Sequence, residues 1–211
     1  MTDLNNKLLR LGILLSGEGT SFENVARLID SGQIPAEVAL VISSKVEAKG
    51  LERAERRKIP QVAVPRKAYP DITKFNDEIH SLLELHSVDF VALLGFLSPF
   101  QPRSRFSGKT INVHPALIPA FSGKGFYGRR VHEAVLQRGC KVSGATVHFV
   151  DDHYDQGPII LQETVPVLEN DSPSSLASRV QAVEKQLVPE AIRLYAAGRL
   201  QLIDGVVRIL P

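Results

Sequence analysis

Two polar residues in the middle of the chain have the types and the spacing needed for reaction at a carbonyl carbon. Asn112 and His114 alternate with the apolar residues Ile111 and Val113. On a β-strand, alternate side chains point to the same face, so the amide and the imidazole would lie about 7 Å apart along the strand. An amide N–H can stabilise an oxyanion, and an imidazole can move a proton near neutral pH. A purely structural pair would have the same pattern, so the rest of the chain has to decide between the two interpretations.

A glycine-rich segment, residues 16–21, follows a short apolar run and precedes apolar residues at helical spacing. A strand, a tight turn and a helix N-terminus in this order direct free backbone N–H groups and the positive end of the helix dipole at an anion. The segment lacks the Lys-Ser/Thr ending of a nucleoside-triphosphate loop and the third glycine of a dinucleotide fingerprint. We interpret it as a site for a phosphomonoester, although any tight strand-to-helix connection favours glycine.

Neither metal nor disulfide chemistry is indicated by the sequence. Asp151, Asp152, His153 and Asp155 lie close together, but their spacing matches no standard ligand set, and turn chemistry alone explains acidic residues there. Cys140 is the only cysteine, which excludes an internal disulfide and predicts a reducing, cytoplasmic location. We expect Cys140 to be structural and the protein to use no metal.

The elements that must position these residues alternate between strands and helices. Continuous apolar runs predict buried strands at residues 9–15, 38–42, 61–65 and 89–95. Apolar residues at helical spacing predict helices after residue 21, at about 49–57 and at about 70–86. This alternation predicts a parallel sheet that is covered by helices on both faces. Ligands bind outside the carboxyl ends of the strands of such sheets, an edge that would carry residues 17–21, 96–100 and the Asn112–His114 pair, whose strand ends at Pro115.

Further elements are predicted in the second half of the chain. They are a helix from Val131 to Gln137, strands at 144–150 and 159–167, a helix at about 174–197 that starts at Asp171-Ser172-Pro173, and a short β-hairpin at 200–210. Residues 120–130 form a glycine-rich loop with aromatic residues and cations, and both a mobile lid and a plain surface loop fit this composition. We expect His80 and His86 on a helix surface, and His132 has no evident role.

Length and composition indicate a globular protein of ordinary kind. The 211 residues are 44% hydrophobic and 23% charged, which suits a single domain with a sizeable core. A net charge of +2 gives no electrostatic case for a nucleic acid or membrane partner. Residues 1–7 are too polar for a signal peptide, and no apolar run approaches the length of a membrane span.

Three motifs in order carry a resemblance to a known family. They are Ser16-Gly17-x-Gly19, then Asn112-x-His114-Pro115-x-Leu117-x-Pro119, then Gly144-x-Thr146-Val147-His148-Phe149-Val150 followed by Asp155-x-Gly157-Pro158. Over residues 11–202 the chain resembles the phosphoribosylglycinamide formyltransferases, members of the folate-dependent formyltransferase family. The resemblance implies a Rossmann-like fold in one domain, residues 1–211, with a phosphate-binding half at about 8–105 and a catalytic, folate-binding half at about 106–211.

The same resemblance implies a reaction and a set of catalytic residues. The formyl group of 10-formyltetrahydrofolate, a co-substrate, would pass directly to the amine of glycinamide ribonucleotide in purine biosynthesis. The family's catalytic residues fall on Asn112, His114 and Asp155. Asn112 and a protonated His114 would stabilise the tetrahedral oxyanion, and Asp155 would raise the pKa of His114 and hold a water that relays a proton.

Binding roles are also implied by the resemblance, with His148 as a supporting residue. Gly19, Thr20 and Ser21 would hold the ribose phosphate, Gln181 and Glu184 would contact the ribose or glycinamide side, and Pro115 would line the substrate site. The folate would contact Leu97, Ser98, Pro99, Phe100, Val150, Asp151, Asp152 and Tyr154.

The sequence departs from the family pattern at Glu18, Ser21 and Ser98. Asn commonly stands at the first two positions, and Arg often stands at the third. A carboxylate at position 18 would be unfavourable beside a phosphate unless it turns away.

Three other functions are compatible with part of this residue pattern. Formyltetrahydrofolate hydrolase shares the catalytic residues but usually has an additional N-terminal domain. Methionyl-tRNA formyltransferase has a C-terminal domain for tRNA and an Arg-Gly signature where this chain has residues 121–123. A non-catalytic nucleotide- or folate-binding module would not need all of the three catalytic residues. We expect a monomer or a homodimer.

Overall fold

A computed structural model describes residues 8–211. Residues 1–7, which prompted the expectation that no signal peptide is present, lie outside this range. The strands are β1 (Leu9–Leu15), β2 (Ala36–Ser43), β3 (Gln61–Ala63), β4 (Phe90–Leu93), β5 (Thr110–His114), β6 (Val142–Phe149), β7 (Ile159–Pro166), β8 (Leu200–Ile203) and β9 (Val206–Ile209). The α-helices are α1 (Thr20–Asp30), α2 (Lys49–Arg56), α3 (Ile72–Leu85), α4 (Arg103–Phe106), α5 (Arg129–Gln137) and α6 (Pro173–Ala196).

The first seven strands form one sheet in the order β3-β2-β1-β4-β5-β6-β7. Neighbouring strands from β3 to β5 are parallel, whereas β6 and β7 are antiparallel to their neighbours. The chain builds outward from β1 to β3 and then returns to the other side of β1 to form β4. The crevice where the order reverses is the usual ligand site of such sheets. The predicted Rossmann-like, mostly parallel sheet and the C-terminal hairpin, β8 with β9, are confirmed.

The helices cover both faces of this sheet. Strand side chains alternate in direction, so a strand with a continuous apolar run presents apolar side chains on each face. Ile13 and Leu15 of β1 pack in one cluster with residues of α1 and α6, including Phe22 and Ile192. Leu14, between them in sequence, packs on the opposite face with residues of α3. The sheet core is thus buried on both sides, as continuous apolar strands predict.

Most element boundaries agree with the sequence prediction, and the differences lie at their ends. Strands β3 and β4 are shorter than predicted, and α5 begins two residues earlier than Val131. Helix α6 starts at a capping box, in which the Ser172 hydroxyl accepts from the N–H of Ser175 and the Ser175 hydroxyl accepts from the N–H of Ser172. It continues through Pro189. Within residues 8–211, no helix is long and apolar enough to cross a membrane.

The expectation that His80 lies on a helix surface is wrong. Its side chain is buried, its Nε2 lies 2.8 Å from the carbonyl oxygen of Gln101, and its ring stacks on Phe100 at 5.5 Å. The segment between β4 and α4 folds back over α3 and covers this histidine. Such a contact between distant parts of the chain leaves no mark in the helical spacing around His80.

Candidate functional site

The carboxyl ends of three adjacent parallel strands, β1, β4 and β5, open into one cleft of about 1010 Å³. Every site residue predicted from the sequence lines this cleft. These residues are Gly19, Thr20, Ser21, Leu97, Ser98, Pro99, Phe100, Asn112, His114, Pro115, Val150, Asp151, Asp152, Tyr154, Asp155, Gln181 and Glu184. The structure therefore brings together segments that are far apart in the sequence, whereas the role of each residue stays a prediction.

Strand β5 presents Asn112 and His114 at its carboxyl end, and the next residue, Pro115, ends it. Asn112 is half-buried and lies opposite His148 of β6, with its Nδ2 3.1 Å from the Nε2 of that histidine. The Nδ1 of His148 lies 2.8 Å from the carbonyl oxygen of Phe149, which can only accept, so Nδ1 carries the proton. Nε2 of His148 is then the acceptor, and the amide of Asn112 is held by donation to it.

Asp155 reaches the same place from the turn between β6 and β7. Its Oδ2 lies 3.4 Å from Nδ1 of His114, and its Oδ1 lies 3.4 Å from Nδ2 of Asn112. The turn is tight because Gly157 packs against the carbonyl oxygen of Phe149, where a Cβ would come within 1.8 Å. Asn112, His114 and Asp155 thus converge on one point of the cleft.

The charge state of this group differs from the sequence-based expectation. Burial lowers the pKa of His114, and the opposing effects of Asp155 and of the Phe121 carbonyl do not cancel it. Asp155 does act to raise the pKa of His114, as predicted, but the desolvation of the buried ring, which the prediction left out, outweighs it. For Asp155, burial acts to raise the pKa, but the contacts with His148, His114 and the Gly123 N–H outweigh it and hold the pKa below its usual value.

The glycine-rich segment forms the N-terminal approach to α1, as predicted. Gly19 has a left-handed backbone with φ of 70°, and no side chain caps the helix, so its first N–H groups are free for a ligand. Glu18 turns to Lys49, with a carboxylate-to-ammonium distance of 3.0 Å. This ion pair removes the expected conflict between Glu18 and a bound phosphate.

Below this segment, the hydroxyl of Ser16 connects two walls of the cleft. Its Oγ lies 2.6 Å from Oγ of Ser44 and accepts a hydrogen bond from the N–H of Leu97 at 2.8 Å. Ser16 and Ser44 are both buried. The phosphate-type loop is thereby joined to residues 97–100, the predicted folate wall.

Glu184 of α6 faces the cleft with an unusual carboxyl group. It is half-buried, and burial raises its pKa to about 7. The side chain therefore changes charge near neutral pH. Gln181, one helical turn before it, lines the same cleft but is exposed.

Two further features line the cleft: His132, which was not predicted as part of the site, and the 120–130 loop, which the sequence left open between a lid and a surface loop. His132 lines it from α5 and is only 4% exposed, and its Nδ1 has no hydrogen-bond partner among the described residues. The sequence did contain a signal for its burial. His132 lies next to Val131 and three residues before Val135, which is the spacing of one helix face, and all three are buried in α5. The 120–130 loop also lines the cleft, with Lys124, Arg129 and aromatic residues between them.

No metal site accompanies these groups in the described part of the chain. No cluster of three or more His, Cys, Asp and Glu side chains within residues 8–211 is arranged to hold a metal ion. The acidic turn at Asp151 and Asp152 instead forms local contacts, such as the Asp151 side chain accepting from the N–H of His153 at 2.8 Å.

Comparison with known proteins places this cleft in a family. A family model described as formyl transferase matches residues 9–192. The chain belongs to the formyl transferase family. Among relatives, the phosphoribosylglycinamide formyltransferase of Haemophilus influenzae is 36% identical over 199 residues, which cover 93% of this chain and 92% of the relative. The trifunctional purine biosynthetic protein adenosine-3 of Homo sapiens is 39% identical over 203 residues, which cover 93% of this chain and 19% of that protein.

Solved structures in this formyl transferase family share the fold. Glycinamide ribonucleotide transformylase 1 from Symbiobacterium toebii superimposes with a TM-score of 0.89 at 40% identity, covering 97% of this chain and 95% of that chain. A formyltetrahydrofolate deformylase from Pseudomonas syringae pv. tomato has a TM-score of 0.88 at 25% identity, and the match covers 97% of this chain and 67% of that chain.

Proposed function

We propose that this formyl transferase is a phosphoribosylglycinamide formyltransferase, which moves the formyl group of 10-formyltetrahydrofolate to the amine of glycinamide ribonucleotide in purine biosynthesis. The observation that carries this function is the convergence of Asn112, His114 and Asp155 in a cleft that also holds the free N-terminus of α1. Relatives at 36–40% identity that bear this activity in their names support it over nearly the whole chain.

In this reaction the amine nitrogen attacks the formyl carbon, and a new C–N bond forms as the carbonyl oxygen becomes an oxyanion. Nδ2 of Asn112 keeps one hydrogen on His148 and donates the other, which lies towards Oδ1 of Asp155 at 3.4 Å in the structure, to this oxygen. Nε2 of His114 is already bonded to the Phe121 carbonyl at 2.8 Å, so Nδ1 is the nitrogen available to donate when the ring is protonated. Fixed donors of this kind are effective because they need no reorganisation as charge develops.

The tetrahedral intermediate then collapses with proton transfer. The attacking nitrogen loses a proton, N10 of the folate gains one, and the bond between N10 and the formyl carbon breaks. Asp155 is ionised at neutral pH, since its pKa lies below the usual value. It can hold a water that takes the first proton and delivers the second. The reaction needs no covalent enzyme intermediate.

The substrates are assigned to opposite parts of the cleft. The ribose phosphate binds at Gly19, Thr20 and Ser21, where N–H groups of α1 are free. Glu184 and Gln181 contact the ribose or glycinamide side. The folate lies between residues 97–100 and residues 150–154, where Leu97 and Tyr154 expose about half of their surface, 55% and 53%.

One experiment separates this transfer from hydrolysis of the folate. Purified protein is mixed with 10-formyltetrahydrofolate in two arms, with glycinamide ribonucleotide and with no acceptor, and formate and formylated product are measured. We expect formylated product in the first arm and little formate in the second. Formate release at the same rate in both arms would instead identify a hydrolase. Binding of both ligands without product would identify a non-catalytic module.

Several other sequence-based expectations are not tested by the structure or the relatives and stay predictions. They are the cytoplasmic location, the single domain over residues 1–211, the absence of a metal, nucleic acid or membrane partner, and a monomeric or homodimeric state.

A further inference from the structure

The loop that follows β5 touches both ionisable members of the proposed catalytic group through its backbone. The carbonyl oxygen of Phe121 lies 2.8 Å from Nε2 of His114. The N–H of Gly123 donates to Oδ2 of Asp155 at 2.9 Å. One stretch of backbone, the 121–123 segment, therefore contacts the imidazole and the carboxylate at the same time.

The backbone conformation of this segment is stabilised by packing outside the cleft. Phe121 and Gly123 both have left-handed backbones, with φ of 50° and 88°. The Phe121 ring packs against the cluster that contains Val135 and Leu176, and the Ser122 hydroxyl donates to the carbonyl oxygen of Pro119 at 3.0 Å. Packing on α5 and α6 thus fixes the directions of the two backbone groups.

The direction of each hydrogen bond determines where the protons lie. A carbonyl oxygen only accepts, so Nε2 of His114 carries a hydrogen. Nδ1 then faces Oδ2 of Asp155 at 3.4 Å. In the neutral ring this would place a lone pair against a carboxylate, whereas a proton on Nδ1 gives an ion pair. The segment therefore favours a protonated His114 beside an ionised Asp155.

We propose that the backbone of the 121–123 segment is a positioning element for the reaction: the Phe121 carbonyl fixes His114 with its hydrogen on Nε2, and the Gly123 N–H holds the Asp155 carboxylate against Nδ1. This inference rests on the proposed catalytic roles of His114 and Asp155. It adds that Nδ1, and not Nε2, is the nitrogen that takes up the proton when the ring becomes charged and that donates to the oxyanion.

Other polar groups around the pair belong to elements other than the 121–123 segment. Asn112 on β5 and His148 on β6 contact Asp155, at 3.4 Å and 3.7 Å. His132 on α5 is near enough for its pKa, lowered first by burial, to be lowered also by charge on His114. Burial raises the pKa of Tyr154, and the charge of Asp155 raises it further. Among residues 8–211, only the segment supplies both an acceptor to His114 and a donor to Asp155.

The substitution Gly123→Ala tests the donor half of the proposal. No atom lies within 4 Å of an added Cβ, so the change acts through backbone strain at a φ of 88° and turns the N–H away from Asp155. We expect kcat to fall about tenfold with KM nearly unchanged, the scale of one hydrogen bond to a charged group. Because Asp155 loses a donor that lowers its pKa, the acid limb of the kcat–pH profile should move to higher pH.

The matched control is Gly139→Ala. This residue also has a left-handed backbone, with φ of 72° and open space around it, but it follows the far end of α5. We expect it to show the same small loss of stability with a wild-type pH profile. An unshifted acid limb in folded Gly123→Ala, or an equal shift in Gly139→Ala, would overturn the proposal.

A second measurement does not depend on any variant or on activity. In ¹⁵N-histidine-labelled wild-type protein, long-range ¹H–¹⁵N spectra recorded above the titration of His114 show which nitrogen keeps its hydrogen. We expect Nε2, and a hydrogen on Nδ1 would contradict the positioning element even if formyl transfer is normal. A hydrogen on Nε2 in a protein without transferase activity would instead support the positioning contact and reject the proposed function.

Discussion

In the proposed reaction, His114 carries a positive charge in a place that disfavours it. The side chain is buried, and burial lowers its pKa, while Asp155 and the Phe121 carbonyl partly compensate. A lowered pKa makes the protonated ring a stronger hydrogen-bond and proton donor, which suits a group that stabilises a developing oxyanion.

Replacing this residue gives the first prediction. We expect His114→Ala to lower kcat for formyl transfer by a factor of about 100 or more, the range for loss of an oxyanion donor or acid–base group. His86→Ala is the control, because His86 ends α3 far from the cleft. Turnover of His114→Ala at the wild-type rate would refute the proposed catalytic role.

Glu184 gives a second prediction, about pH. Its pKa is raised to about 7, so the carboxylate is present above that pH and is lost as the pH falls through it. An ionised carboxylate accepts hydrogen bonds from substrate hydroxyl or amine groups more strongly than the acid does. We therefore measure kcat/KM for glycinamide ribonucleotide in both proteins and divide the wild-type value by the Glu184→Gln value. We expect this ratio to decrease as pH is lowered from about 8 to 6, because the wild type loses its carboxylate.

This ratio cancels titrations that both proteins share, such as those of His114 and of the substrate amine. Glu190→Gln is the control on the same helix, where Glu190 pairs with Arg193. A ratio that does not vary with pH would exclude the titration of Glu184 from substrate binding.

At the residue scale, the sequence identified the candidate catalytic residues but not the net shift of the His114 pKa. The alternation of Asn112 and His114 on a strand followed from spacing, whereas Asp155 was assigned through a family motif, since 43 positions separate it from Asn112. The upward effect of Asp155 on the pKa of His114 was predicted, but the net lowering was not, because desolvation depends on the packing around the ring.

The elements position the site through a few close backbone approaches. A Cβ on Gly19 would lie 2.7 Å from Cα of Gly50, and the N–H of Gly50 donates to the carbonyl oxygen of Gly17 at 3.0 Å. The start of α2 therefore supports the loop before α1 directly.

A side chain at this contact gives the third prediction. In Gly50→Ala the new Cβ would lie 2.5 Å from a methyl group of the buried Leu15, so α2 has to shift. We expect a loss of about 1–3 kcal/mol in the free energy of unfolding, typical of overpacking, and a raised KM for glycinamide ribonucleotide. Urea denaturation and initial rates measure these two effects.

Glu55→Ala on the exposed face of α2 is the control and should change neither quantity. A normal KM in a destabilised Gly50→Ala would mean that the loop before α1 does not depend on α2 for its position.

At the element scale, most strands and helices were predictable because the first strands are continuous apolar runs, β5 alternates polar and apolar residues, and the long helices have one apolar face. The short helix α4 was not predicted. The burial of His80 and the backbone contacts of the 121–123 segment were not predictable either. Both depend on loops that fold back over an element distant in sequence, and loop conformation is encoded only weakly in local residue types.

The molecule as a whole is joined by a sheet that runs through both halves of the chain. Strands β1 and β4 come from the predicted phosphate-binding half, and β5, from the other half, pairs with β4 by parallel hydrogen bonding. The cleft is lined from both halves. The fourth prediction is therefore that a bound ligand stabilises both halves together.

With a folate analogue at about 100 times its Kd, we expect the free energy of unfolding to rise by about 2.7 kcal/mol. Amide hydrogen exchange should show this gain in both β2 and β6. Protection confined to β6 would mean that the halves unfold separately, against the predicted single domain.

The buried hydroxyl of Ser16 has a consequence for how the two co-substrates meet. It connects the turn before α1, where the nucleotide would bind, to the backbone at Leu97, where the folate would bind. A ligand that orders one of these segments also orders the other, so the second ligand loses less conformational entropy when it binds. By linkage, the gain in affinity is the same for both ligands. We therefore expect synergy between nucleotide and folate, which Ser16→Ala would erase from both directions to the same degree.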